Sequence, residues 1–228
     1  MIVQISLILT IIITVIGFIN SICSLITFMN KEPRKNGCGY CLLTSSVVTL
    51  LLTIIFCMKF TILLHAQMTY ITNQAFLLFQ CYSLDFLLKS SLYIDQWLNA
   101  CVAIERAWIA YQGVHFQKQK SQKIAKITIP ILICFLLGSN FHEITYRSLL
   151  SDTTNDQQRI WCIFSYPSTI EKYHFAMNII HFSIPFLLNF LSAIVIIIKT
   201  MHLRATIKAQ QKYREILMEQ LSQHKHLL

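Results

Sequence analysis

Long apolar stretches alternate with short polar ones along this chain, and the alternation predicts five membrane-spanning helices. Stretches of about 18 or more apolar residues with few charges suit the hydrocarbon core of a bilayer. Pro130 and Pro185 lie inside the fourth and fifth stretches. Membrane helices tolerate such prolines because neighbouring groups satisfy the freed backbone carbonyl. We therefore expect an all-α, integral membrane helical bundle, with helices at about 2–29, 40–64, 81–111, 124–144 and 173–198.

The positions of the basic residues predict the orientation of the bundle. Lysine and arginine gather in the first and third gaps between the helices and in the final segment, and the second gap has none. Loops rich in lysine and arginine stay on the cytoplasmic side. The N-terminus is therefore expected outside a plasma membrane that the chain crosses several times. Residues 1–198 form the predicted transmembrane domain, and 199–228 form a basic, cytoplasmic, helical tail.

The composition narrows the class of protein further. Only 13% of the residues are charged, about half the share typical of a soluble domain. The formal net charge is +9, but the basic residues form no patch interleaved with aromatic residues. The expected partner is therefore the lipid bilayer and not a nucleic acid. The sequence has no nucleophile elbow, zinc-protease motif or phosphate-binding glycine loop, so we expect no enzyme activity, no cofactor and no metal.

The third predicted helix carries an unusual set of polar residues. Asp95 and Arg106 lie about 20° apart around a helix of 100° per residue, and Asn99 falls on the same side. Charged residues within a membrane are costly and usually face the interior of a bundle. We therefore expect this face of helix three to look inward at other helices.

Two acids on this helix invite different interpretations. Asp85 precedes Lys89 by one helical turn, the favourable order for a helical ion pair. The pair either neutralises itself near the outer end or forms the polar floor of a ligand cavity. Asp95 lies deeper and has no basic residue within one turn, so it either takes a proton or holds a cation. We favour a functional role for Asp95.

Several residues together resemble those of rhodopsin-like G-protein-coupled receptors. Cys81 opens predicted helix three, and Glu105-Arg106-Ala107 closes it. Cys162 lies in the long loop before helix five, and Pro185 lies within helix five. The resemblance covers helices one to five. It implies a disulfide between Cys81 and Cys162 and structural roles for Pro185 and for Asn20 of helix one.

The same resemblance implies a signalling role. Arg106 would engage a heterotrimeric G protein and, at rest, pair with Glu105. Val114 would be the apolar residue of the second inner loop that docks on the G protein. The partner on the other side would be an extracellular ligand of unknown type, with a peptide favoured.

The seven-helix architecture of that family extends beyond the five helices found here. We therefore expect a fragment or a truncated product of a receptor. Two alternatives stay open. One is a five-span transporter or channel component that uses the intramembrane residues Asp85, Lys89 and Asp95. The other is a non-signalling decoy that binds an intact receptor.

Overall fold

The computed structural model describes residues 2–30, 32–67, 73–152 and 159–224, and in these residues the chain is an all-α helical bundle. The predicted fold class is therefore confirmed. The helices are α1 (Ile2–Met29), α2 (Gly37–Gln67), α3 (Gln74–Gln112), α4 (Lys118–Asn140), α5 (His142–Thr145) and α6 (Ser168–His224). Single 3-10 turns at Pro33–Lys35 and Gly113–His115 lead into α2 and α4.

The apolar character of the helices indicates a membrane-embedded protein. Within the described residues, four segments are long and apolar enough to cross a membrane: Ile5–Met29, Gly37–His65, Lys118–Thr145 and Ser168–Lys208. The remaining long helix, α3, has 39 residues and is about 58 Å long, well beyond the roughly 30 Å of a bilayer core. It carries charged residues along its length, among them Asp85, Asp95 and Arg106, and packs against both α2 and α6.

Several helix boundaries differ from those predicted: α2 spans Gly37–Gln67, α4 begins at Lys118 and α6 begins at Ser168. Helix α3 begins at Gln74 instead of 81, because the Asn73 side chain accepts hydrogen bonds from the first free N–H groups of the helix, those of Ala75 and Phe76. Helix α4 ends at Asn140 instead of 144, and the short α5 follows it. Helix α6 continues without a break into the predicted tail, which has neither glycine nor proline to stop it.

The loop between predicted helices four and five contains an antiparallel β-hairpin that the sequence did not indicate. Strand β1 (Arg147–Asp152) pairs with β2 (Arg159–Phe164), with Arg147 opposite Phe164 and Asp152 opposite Arg159. Serine, leucine and aspartate in β1 favour strands only weakly. An isolated hairpin is marginally stable, so this one depends on its contacts with the helices.

Apolar side chains of α3 and α4 pack together in the interior of the bundle. Tyr93, Ile94, Leu98 and Leu136 form a buried cluster, and Leu98 and Leu136 are inaccessible to solvent. Most apolar side chains of α1 are exposed at the outside of the bundle, where a membrane protein meets lipid. The bundle is therefore centred on α3.

Replacing Leu98 with Ala should destabilise the bundle by about 2 kcal/mol, the low end of the range for buried leucines. The substitution removes packing contacts, but the hydrophobic transfer of the side chain from water adds little in a membrane, because lipid is as apolar as the protein interior. The matched control is Leu92→Ala, since Leu92 lies on the same helix but is 43% exposed. Thermal unfolding in detergent should show a clear loss for Leu98→Ala only. Equal losses in both variants would contradict this description of the core.

Candidate functional site: a charge cluster beneath the hairpin

The Arg147 side chain lies under the hairpin and is only 3% exposed. Its Nη1 donates hydrogen bonds to Asp85 Oδ2 at 2.5 Å and to the Cys81 carbonyl at 3.2 Å. Its Nη2 lies 3.3 Å from Glu143 Oε2, and its guanidinium stacks 4.3 Å from the centre of the Phe164 ring. Burial lowers the pKa of Arg147 and Glu143 opposes that shift, so the residue remains a cation. Arg147 thereby connects α3, α5 and the hairpin.

Two lysines complete this group of charges. Lys89 forms an ion pair with Glu143, whose side chain is fully buried, and Lys59 of α2 forms one with Asp85. We call Lys59, Asp85, Lys89, Glu143 and Arg147 the charge cluster. Its three cations and two carboxylates leave one net positive charge. Glu143 and Arg147 lie deepest, and the side chains of Asp85, Lys89 and Lys59 are 11%, 22% and 32% exposed.

A disulfide holds the hairpin over the charge cluster. Cys81 on α3 is bonded to Cys162 on β2, with their Cα atoms 5.8 Å apart. Cys81 is fully buried, and Arg147 Nη1 lies 3.8 Å from Cys162 Sγ. This is the cysteine pair that the receptor resemblance implied. The bond anchors β2 to α3 beside the buried arginine.

The expected ion pair between Asp85 and Lys89 is replaced by pairs with other elements. Asp85 contacts Lys59 and Arg147, and Lys89 contacts Glu143. The physical reason is burial: Glu143 and Arg147 lie deeper than a surface pair and need opposite charges more strongly. Asp85 and Lys89 therefore do not neutralise each other, and the interpretation of a polar floor for a ligand cavity stays a prediction.

A chain of neutral hydrogen bonds joins α3 to α6 beside the charge cluster. The Tyr93 hydroxyl donates to Asn178 Oδ1 at 2.5 Å, and Asn178 Nδ2 lies 3.0 Å from His174 Nε2. Deeper in the bundle, Trp97 Nε1 donates to Nδ1 of the fully buried His181 at 3.2 Å. These bonds fix α6 against α3.

Asp95 occupies a different environment from Asp85. Ser45 and Thr49 of α2 donate hydroxyl hydrogen bonds to its Oδ1 at 2.5 and 3.3 Å, and Asn99 Nδ2 lies 3.1 Å from its Oδ2. All three donors are neutral. Ten residues of helix separate Asp95 from Asp85, about 15 Å along the axis. The two acids therefore belong to separate sites.

The polar face of α3 is only partly covered, contrary to the expectation that it looks inward. Asp95 faces α2, but Asn99 and Arg106, further along the same face, are exposed. Helix α2 therefore covers this face at Asp95 and leaves Asn99 and Arg106 accessible. We call Asn99 and Arg106 the open stripe.

At the end of α3 away from the hairpin, Glu105 does not pair with Arg106 among the described contacts. Its carboxylate accepts a hydrogen bond from Ser121 of α4, whose Oγ also accepts one from the Gly37 N–H at 3.1 Å. Arg106 lies within hydrogen-bonding reach of Cys38. The described partner of the Glu105 carboxylate is thus the Ser121 hydroxyl of α4, whereas the resemblance implied Arg106.

The remaining residues that the resemblance singled out, Val114, Asn20 and Pro185, lie in three different elements. Val114 is fully exposed just after Gly113, whose φ of 55° is unusual for other residues. Asn20 is exposed on α1, and Pro185 is buried within α6. A cavity of about 500 Å³ near Glu105, between α3 and α4, lies far from the charge cluster.

The structure adds candidate functional residues that were not predicted from the sequence, namely Lys59, Glu143, Arg147, His174 and Asn178. The spacing of His174, Asn178 and His181 places them on one side of a helix, and this signal was available. For Glu143 and Arg147 there was no such signal, because their partners lie far away in the chain.

The fold and site define a membrane-embedded helical bundle with a disulfide-anchored hairpin over buried charges. The chain matches no known protein-family model, and a search of curated proteins finds no match either.

Replacing Glu143 with Gln should destabilise the protein by about 3 kcal/mol or more, because it leaves Arg147 and Lys89 buried without that carboxylate. Glu171→Gln is the control, since Glu171 is exposed near the start of α6. Thermal unfolding of both variants in one detergent checks this. A Glu143→Gln protein as stable as the control would show that Glu143 contributes little to the charge cluster.

Proposed function

We propose that this chain forms helices one to five of a rhodopsin-like G-protein-coupled receptor that senses an extracellular ligand. The observation that carries the proposal is the disulfide from the start of α3 to the β-hairpin between α4 and α6. This bond holds a lid of two strands over a buried polar group. Such an arrangement suits a binding site that opens to one side of the membrane.

The charge cluster supports a ligand with an anionic group. Glu143 is fully buried and Asp85 is 11% exposed, whereas the lysines form the more exposed part, so the surface offered to a ligand is positive. A carboxylate of a peptide, from its C-terminus or from an acidic side chain, would match the net positive charge. Charge-assisted hydrogen bonds of this kind are the stronger ones in recognition.

Helix α3 is the proposed route of transmission. It runs unbroken from Asp85 in the charge cluster to Arg106, about 30 Å along its axis. In the proposed mechanism, a ligand that pulls Lys89 from Glu143 changes how α3 packs on α5 and α6. The far end of α3, with Arg106 and the exposed Val114 nearby, would present the surface for a heterotrimeric G protein.

The open stripe supports additional helices in the working receptor. Asn99 and Arg106 are polar, exposed and carried by a helix long enough to cross a membrane. Polar groups on such a helix normally face other helices or water. Further helices of a seven-helix architecture would cover this face.

A transporter or channel remains the second candidate, because intramembrane charges can form an ion relay. The ion pairs of the charge cluster, which follow one another from Lys59 through Asp85, Arg147 and Glu143 to Lys89, favour this candidate. Against it, the described partners of Asp95 are neutral, and about 15 Å of helix separates that acid from Asp85.

The proposed orientation places the N-terminus outside the plasma membrane and the end of α6 in the cytoplasm. An epitope tag before Met1 should bind an impermeant antibody on intact cells, and a tag after Leu228 should bind it only after permeabilisation. The charge distribution across the gaps is the reason. Labelling of the C-terminal tag on intact cells would reverse the assignment and place the charge cluster on the wrong side for an extracellular ligand.

Coupling is tested in cells that express the complete reading frame containing this chain, with G-protein dissociation sensors and a panel of free-acid peptides. Arg106→Ala should reduce the response about tenfold or more at equal surface expression, the scale of losing a charge-assisted contact. Lys35→Ala is the control, because Lys35 is an exposed basic residue at the same end of the bundle. An unchanged response in Arg106→Ala would count against the receptor proposal. Ion flux without G-protein dissociation would favour a transporter.

A further inference from the structure

Three potential metal ligands meet beside the charge cluster. His142 and Glu143 come from α5, and His174 comes from the first turns of α6. His142 Nε2 lies 3.3 Å from His174 Nδ1, which lies 3.5 Å from Glu143 Oε1. All three ligand atoms lie within 4.8 Å of one another. None of these residues belongs to the proposed G-protein surface.

Two of these separations, from His174 Nδ1 to His142 Nε2 and to Glu143 Oε1, match the edges of a zinc coordination shell. With bonds of about 2.0–2.1 Å, neighbouring ligands of a tetrahedral zinc ion lie roughly 3.3–3.4 Å apart. We propose that His142, Glu143 and His174 form a binding site for a divalent transition metal of the zinc class. Two imidazoles and one carboxylate are a ligand set that zinc favours, and water would take the fourth position.

His142 already has the tautomer that this role needs, whereas His174 requires a change of tautomer. His142 Nδ1 donates to the Ser139 carbonyl at 2.9 Å, so its Nε2 carries the free lone pair that points at His174. Metal-binding histidines typically make this kind of hydrogen bond with their other nitrogen. His174 Nε2 lies 3.0 Å from Asn178 Nδ2, so Nδ1 of His174 carries the proton in this structure. A metal ion at Nδ1 moves that proton to Nε2. The Asn178 amide must then turn over to accept it, and the Tyr93 hydroxyl, which now donates to Asn178 Oδ1, must accept from Nδ2 instead.

Aromatic rings surround the proposed site and restrict the histidine side chains. The Tyr173 ring packs edge-on against His142 at 5.0 Å, and the Tyr166 ring lies 4.7 Å from His174. Burial, with the nearby Glu143 charge, raises the pKa of Tyr166 to about 12. Its neutral hydroxyl, 3.3 Å from His174 Nδ1, is placed to hydrogen-bond to a metal-bound water.

Lys89 competes with the metal for one oxygen atom. Its ammonium group contacts Glu143 Oε1, the same oxygen that faces His174, and Arg147 holds the other oxygen. A bound metal would displace the ammonium and add positive charge to a cluster that already has an excess. The site should therefore bind metal more weakly than a structural zinc site, and removal of the Lys89 charge should strengthen binding.

The test is titration of Zn²⁺ and Co²⁺ into the purified full chain in lipid nanodiscs, prepared without a histidine tag. Zn²⁺ binding is followed by calorimetry. Co²⁺ is followed by the visible absorption of a four-coordinate ion. His174→Ala and His142→Ala should weaken binding about 100-fold, since even outer partners of a metal site contribute 10- to 100-fold. Lys89→Met keeps all three ligands and should bind several-fold tighter than the original chain.

His202→Ala is the matched control, because His202 is exposed on α6 far from α5, and it should bind as the original chain does. Equal Zn²⁺ affinity in His174→Ala, His142→Ala and the original chain would overturn the proposal. So would a six-coordinate cobalt spectrum, or weaker binding in Lys89→Met. If an alanine variant fails to fold, the Lys89→Met titration and the cobalt spectrum still decide the matter. None of these measurements depends on a G protein.

Discussion

Everything at the hairpin end of the bundle depends on neutralising the buried guanidinium of Arg147. A buried cation is costly unless opposite charges and hydrogen bonds surround it. Asp85 from α3 and Glu143 from α5 supply the charges, and the Cys81 carbonyl supplies a further acceptor. Because these groups come from different elements, none of the elements can move alone without exposing a charge to an apolar surrounding. The disulfide between Cys81 and Cys162 further restricts movement of the hairpin relative to α3.

A second constraint, made of neutral groups, holds α6 against α3. Helices in lipid gain little from burying apolar surface, so packing and hydrogen bonds determine how they associate. Tyr93 and Trp97 on α3 reach Asn178 and His181 on α6, at successive turns of both helices. His181 Nδ1 accepts from Trp97, so its Nε2 carries the proton and donates to Ser139 on α4, 3.1 Å away. One histidine therefore links three helices in the middle of the bundle.

The sequence predicted the elements far better than their contacts. Apolar runs defined the long helices because hydrophobic length is a local property, and the N-cap at Asn73 was a local signal that went unused. Helix three was identified as polar, and its cysteine was paired through the family resemblance. The partners of Asp85 and Lys89 could not be found in the same way. The spacing of four residues predicts that they pair with each other. In the folded chain, Lys59, Glu143 and Arg147 from other segments form the ion pairs instead. The β-hairpin was missed because β1 has little strand propensity of its own, although the isoleucine, tryptophan and phenylalanine residues of β2 favour a strand.

Glu143 links the two activities proposed for the hairpin end. Its Oε1 faces both Lys89 and His174, and its Oε2 faces Arg147. An anionic ligand that draws Lys89 away frees Oε1 for a metal ion. A metal ion on Oε1 releases Lys89 to meet an anionic ligand. Each would then raise the affinity of the other by the same factor, because coupling between two binding sites is reciprocal. The excess positive charge of the cluster makes this cooperation physically reasonable, since an anion offsets the charge that the metal adds. A divalent cation and an acidic ligand would thus bind cooperatively at the hairpin end, because both act through Glu143 Oε1.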